Sequence, residues 1–289
     1  MKLISSRAAM VLVAIVALGT TQLPAAPLLV NLTDDATTLA QAITGSGVTL
    51  VGTPTRSFQP GQAGTFTNFD SGPFSQTNGS SGQFNIASGI LLTTGIASGA
   101  EGNYIGGPNF DASGSGNPQL TALSGTDTFD AAVLTIQFNS TNPNLFFSYA
   151  FASAEYPAFI GGFSDALAIF VNGINIALVP GTTTPVSINS INADLNSSFF
   201  TQYSNPGTPF NYGGVTTLLT ARANVSTTSV NTIQIAIADS LDGSLDSAIF
   251  IPANSLTAVP EPGGLLVFPA GVALLGALAA YRRRACGHE

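Results

Sequence analysis

Apolar and polar positions alternate with a period of two through most of the chain. In DAAVLTIQFN at 130–139, Ala132, Leu134, Ile136 and Phe138 share one face, and Val133, Thr135 and Gln137 share the other. That period marks an antiparallel strand with one face in a core. LFFSYAFA at 145–152 follows an Asn142-Pro143-Asn144 turn as a second strand. DALAIFV at 165–171 and INIALV at 174–179 flank Asn172-Gly173, a strong hairpin signal. VSIN at 186–189, VTTLLTA at 215–221, TIQIAIA at 232–238 and SAIFI at 247–251 continue the series. A helical pattern occurs once in this body, in TDDATTLAQAITG at 33–45. Thr33 or Asp34 is its expected cap, Leu39, Ala40 and Ile43 its apolar stripe, and Gly45 its stop. The stretches 54–88 and 97–127 are rich in Gly, Ser and Asn and read as long loops, with edge strands at most. They show no fixed-period repeat, which argues against a solenoid. The pattern predicts an all-β unit, an antiparallel β-sandwich or jelly roll with one short N-terminal helix.

Both ends depart from this alternation. Residues 1–26 begin with Lys2 and Arg7, continue through an apolar run from Ala8 to Leu18, and close on Ala25 and Ala26. This is the layout of a secretory signal peptide. From Gly263 to Tyr281 no residue is charged, and Arg282, Arg283 and Arg284 follow. A helix over 263–281 just spans a hydrocarbon core, with the arginines of the basic tail 282–289 as a cytoplasmic stop. The chain thus divides into a signal at 1–26, an exported body at 27–258 and a membrane-directed segment at 259–289.

Val259-Pro260-Glu261-Pro262, the apolar stretch and the arginine cluster occur in the order and place of the PEP-CTERM sorting signal, which this end of the chain resembles. The resemblance implies that exosortase, a membrane-embedded protease-transpeptidase of Gram-negative bacteria, recognises Pro260, Glu261 and Pro262. It also implies the inner membrane as a transient anchor, and export into an exopolysaccharide or biofilm matrix. The prolines hold this stretch extended, a form that a processing enzyme can grip. The body resembles the choice-of-anchor L domain. The stretches that carry this likeness include LAQAITGSGVTL at 39–50, SGILLTTG at 88–95, FASAEYPAFIGGFSDALAIFVNG at 151–173 and IQIAIADSLDGSLDSAIFI at 233–251. The likeness implies a surface module joined to varied anchors and no transferable activity. Ala154 and Ala158 stand where the family leads one to expect acids.

Composition narrows the chemistry. Residues 27–258 contain no His, Cys, Lys or Trp, so no Ser-His-Asp or Cys-His nucleophile, Lys Schiff base or His/Cys zinc site can be built from them. Two arginines face 13 acids there, a net charge of 2 − 13 = −11 that repels nucleic acid. Carboxylates are the remaining acid-base groups. Glu155 and Asp165 flank a Gly-containing loop near Asp130, and two carboxylates are what a glycan hydrolase needs. The same acids also serve as solvated loop ends. Asp239, Asp242 and Asp246 lie in an acidic, Gly-containing turn suited to Ca²⁺, although the spacing is not an EF-hand and such turns form without metal. Tyr156 and Phe159, beside Pro157, are candidate ligand contacts along with Glu155 and Asp165. The expectation is a non-enzymatic exported protein without a cofactor. A calcium-dependent adhesin or polysaccharide-binding module and a carboxylate-based hydrolase are the alternatives.

Overall fold

A computed structural model describes residues 27–70, 85–202 and 210–258. The expected signal at 1–26 and the segment 259–289, with Pro260, Glu261, Pro262 and Arg282 to Arg284, lie outside the described residues. Among the described residues no helix is long and apolar enough to cross a membrane.

In chain order the strands are β1 (Leu29–Leu32), β2 (Val48–Ser57), β3 (Ala63–Asp70), β4 (Asn85–Thr93), β5 (Thr128–Ser140), β6 (Asn144–Ser153) and β7 (Ala166–Val171). They continue with β8 (Ile174–Asn175), β9 (Phe200–Gln202), β10 (Gly214–Thr216), β11 (Leu219–Asn224), β12 (Asn231–Ser240) and β13 (Ser247–Pro252). One sheet has the order β1-β3-β4-β13-β6-β10-β9, with β11 also paired to β6; the other has the order β2-β5-β12-β7-β8. Every named strand pair is antiparallel. The inward faces of both sheets meet in one core. Leu134, Ile136 and Phe138 of β5 and Ile233, Ile235 and Ile237 of β12 join Phe147 and Phe151 of β6 and Ile249 of β13. The period-two pattern therefore gives the two-sheet arrangement it predicts.

Two further clusters cover outer faces that the alternation leaves open. Helix α2 (Pro118–Ser124) lays Leu120 on Ala131, Val133, Ala168, Ala236 and Ala238, where small residues make room for it. Phe66, Phe69, Phe210, Tyr212 and Phe250 form an aromatic cluster on the outside of the larger sheet, with Phe69 and Phe250 stacked at 4.0 Å.

Several local expectations are corrected. Helix α1 (Ala36–Ile43) is capped by Asp35, whose carboxylate accepts from the Thr37 and Thr38 amides, and not by Thr33 or Asp34. β3 lies inside its sheet between β1 and β4, because its Thr and Phe positions suit a pleated, covered surface. VSIN is not a strand: Val186 and Ile188 are buried from a turn region fastened by the Ser190 hydroxyl, which donates to the Pro185 and Ser187 carbonyls. VTTLLTA splits into β10 and β11, and only the first two residues of INIALV pair as β8. At the far end, Thr257 bridges Phe146 and the Ala258 amide donates to the Ser46 carbonyl, so the fold holds the chain through residue 258.

The shared core is the main source of stability. Replacing Ile235 by Ala should cost about 2–5 kcal/mol in denaturant unfolding. Replacing the exposed Thr49 of β2 by Ala should change stability by less than about 0.5 kcal/mol.

Candidate functional site

The strand directions gather acids at one end of the two sheets. β12 runs into Asp239 beside Phe129 of β5, β7 begins just after Asp165, and Ala166 pairs with Ala238. In the other sheet, Ser153 at the end of β6 pairs with Ser247 at the start of β13, which brings the following Glu155 near the preceding Asp246. Asp130, at the start of β5, completes the set. Asp130, Glu155 and Asp165 are each 2% exposed, and Asp239 and Asp246 are fully buried.

Hydrogen bonds tie these acids together through the backbone. A Glu155 Oε2 atom accepts from the Asp165 amide at 3.2 Å, and Asp165 Oδ1 accepts from the Ser240 amide at 3.3 Å. The Ala154 amide donates to the Asp246 carbonyl at 3.0 Å, and Asp246 Oδ1 accepts from the Phe110 amide at 3.0 Å. Asp130, at φ 49°, accepts from the Gly114 and Ala112 amides. Its backbone sits in the left-handed region that aspartate tolerates better than most residues. Gly95 lies against Asp246: a side-chain carbon at position 95 would fall 1.8 Å from Asp246 Oδ2. Only a glycine leaves that carboxylate its space.

Donors satisfy only part of this group. Asp165 Oδ2, Asp246 Oδ2 and both oxygens of Asp239 are buried without a hydrogen-bond partner. The Thr94 hydroxyl lies near enough only to ease the ionised form of Asp239. Described cations are no help. Arg56 stands over the Phe58 ring with Asp34 at 3.9 Å. Arg222 stands over Phe146, nine residues or about 30 Å back along β6 from Glu155.

Burial raises every carboxyl of the group. Asp246 is pushed up to about 6, against the pull of the Phe110 amide and with help from Asp130. Glu155 rises to about 7, with burial first and the charge of Asp242 adding to it. Asp239 rises to about 9, by burial and by Asp246, Asp130 and Glu155. Asp165 lies well above the carboxylate range through burial, Asp239 and Glu155, and Asp130 is raised by burial and by Asp111. Among the described residues no three His, Cys, Asp or Glu side chains form a ready metal cage.

The residues singled out in the sequence are thus redistributed. Asp239 and Asp246 of the acidic turn go inside, while Asp242 remains exposed between them. Glu155 and Asp165 do come together, but as buried neighbours and not as solvated loop ends. The expected exposure of Tyr156 is corrected: it is 1% exposed, its hydroxyl donating to the Ile191 carbonyl and its ring against Phe200. Phe159 is exposed and packs on Phe163. Asp165 also lines a cavity of about 370 Å³ with Thr126, Ser164, Ser187, Ser190 and Ser240, a hydroxyl-rich lining that the sequence did not indicate. A second, open cavity of about 630 Å³ over Asp130 is lined by Asn109, Asp111, Ser113 and Ser244.

The sequence did hold a signal for the buried acids. Asp130, Glu155, Asp165 and Asp239 each continue, by parity, the inward face of their strand one step beyond its last apolar or hydroxyl residue. Asp239 follows Ile233, Ile235 and Ile237, and Asp165 precedes Leu167 and Ile169. An acid in phase with a core face is a buried acid.

These raised carboxyls make stability fall as pH rises. The folded state holds their protons more tightly than an unfolded chain, whose carboxyls titrate near 4. The stabilisation is complete below about pH 4 and is lost as pH passes through 6, 7 and 9. In chelator-containing buffer the melting temperature should therefore drop steadily between pH 5 and pH 9. Asp239→Asn should flatten the upper part of that decline, as read by circular dichroism melts. The groups that face one another here are Asp111, Asp130, Glu155, Asp165, Asp239, Asp242 and Asp246, with Tyr156 and Tyr212 beside them.

No curated protein and no solved structure matches the chain. The family model of the choice-of-anchor L domain matches residues 31–257, nearly all of the described body. The match points to a protein of the cell surface, and the chain belongs to the choice-of-anchor L domain family.

Proposed function

We propose that this chain is an exported, non-enzymatic surface or matrix module that exosortase processes at Pro260-Glu261-Pro262. The observation that carries this reading is the family match over 31–257, set between an N-terminal signal-like segment and a C-terminal PEP-CTERM-like one. The precursor is held in the inner membrane by residues 263–281 with Arg282, Arg283 and Arg284 on the cytoplasmic side. The processed body then serves a structural or adhesive role among exopolysaccharides in the biofilm of a Gram-negative bacterium. Nucleic acid is not a partner, given the acidic body.

Burial of the carboxylate pair favours this over hydrolysis. A glycosidase presents one acid and one base or nucleophile to the two sides of a sugar bond. Glu155 has one oxygen occupied by the Asp165 amide and is 2% exposed. Asp165 borders a cavity.

Replacing Pro260, Glu261 and Pro262 together by Ala should leave the full-length chain in the inner-membrane fraction, detected by fractionation and immunoblot. The unaltered chain should yield a shorter product outside the cell or on its surface. Equal release of both chains would overturn the processing reading.

A further inference from the structure

We infer that the interior acids form a divalent-cation site of the calcium class, centred on Asp239 with Asp165 and Asp246 beside it. The site differs from the exposed turn the sequence suggested, because Asp242 does not join the buried group. It is also independent of how the C-terminal segment is processed.

Four oxygens carry the inference. Both Asp239 oxygens, Asp165 Oδ2 and Asp246 Oδ2 are buried and complete no hydrogen bond, on side chains between 0 and 2% exposed, although the Thr94 hydroxyl lies near Asp239 and the Ser247 hydroxyl near Asp165. Natural interiors pair nearly all buried polar atoms, so four orphaned carboxylate oxygens in one region call for a partner that is not a side chain. Their other hydrogen bonds hold them in register: Asp165 Oδ1 on the Ser240 amide, Asp246 Oδ1 on the Phe110 amide. Each of these two carboxylates therefore spends one oxygen on the backbone and keeps the other unengaged.

Charge gives the same answer. The two described arginines are engaged elsewhere, so nothing basic among the described residues neutralises the group. Protons or a metal ion must do so. A hard cation with six to eight oxygen ligands takes carboxylates, carbonyls, hydroxyls and water together. The Thr94 and Ser247 hydroxyls, beside Asp239 and Asp165, are neutral oxygens of that kind. Because no three acids already form a cage, the ion must draw the carboxylates together and complete its shell with such neutral donors and water. Of the three carboxylates, Asp165 borders a cavity, the one it shares with Thr126, Ser190 and Ser240. An ion held here would tie β12 and β7 of one sheet to the start of β13 in the other.

The chain lacks Trp, and Tyr212 lies close enough to Asp246, Asp239 and Asp165 to feel their charges. Tb³⁺ in this site should therefore show tyrosine-sensitised emission. The experiment titrates the purified full-length chain in detergent with Tb³⁺ at neutral pH and then displaces it with Ca²⁺. The same samples are melted with Ca²⁺ and with EGTA. We expect saturable emission that Ca²⁺ removes and a melting temperature several degrees higher with Ca²⁺. Asp239→Asn should weaken apparent Tb³⁺ affinity at least tenfold, while Asp194→Asn, at an exposed position, should leave it unchanged. If Asp239→Asn fails to fold, Asp246→Asn takes its place, and if both fail the Ca²⁺ melt of the unaltered chain decides. A folded chain with no emission and no Ca²⁺ shift overturns the proposal. So does emission that Ca²⁺ does not displace, or that survives Asp239→Asn at full strength.

Discussion

An ionised carboxylate moved out of water loses hydration worth several kcal/mol, and only hydrogen bonds or an opposite charge replace it. That constraint acts on one end of this molecule from both sheets at once. β5, β7 and β12 each carry an acid in phase with the apolar core, and β6 continues inward to Glu155. Backbone amides meet part of the need, from Ser240, Phe110, Gly114 and Asp165 itself. What the amides leave unmet raises the carboxyls above their ordinary range. The apolar core supplies stability, and this end makes that stability depend on the solution outside.

Much of the fold could be read from the residues. Period-two alternation located β5, β6, β7, β12 and β13, because each has one face in the shared core. It failed where local order rests on something other than alternation. The segment 186–190 buries Val186 and Ile188 through turns fastened by the Ser190 hydroxyl, so its apolar residues mimic a strand. Helix α2 went unread although its signals were present: Asn117 caps it, Pro118 occupies its first turn and Gly125 ends it at φ 76°. A seven-residue helix with one buried leucine has too little periodicity to be noticed.

The acidic site was legible only in pieces. The sequence marks Asp239, Asp242 and Asp246 as one acidic turn, of which Asp242 stays outside, and Glu155 and Asp165 as the flanks of a loop. Their convergence depends on strand order, which places β12 beside both β5 and β7 and β13 beside β6. No local pattern encodes that order. Tyr156 misled for a related reason: a tyrosine next to proline in a polar stretch suggests a surface, yet its hydroxyl reaches the Ile191 carbonyl 35 residues away.

The way the body ends has a mechanical consequence. Thr257 is bridged to β6 and Ala258 to the loop after α1, so the fold grips the chain until two residues before Pro260. Two extended residues span at most about 7 Å. Any enzyme acting on Pro260 to Pro262 must therefore work within about 14 Å of a folded wall. The shape of that wall belongs to whatever surface such an enzyme must accommodate.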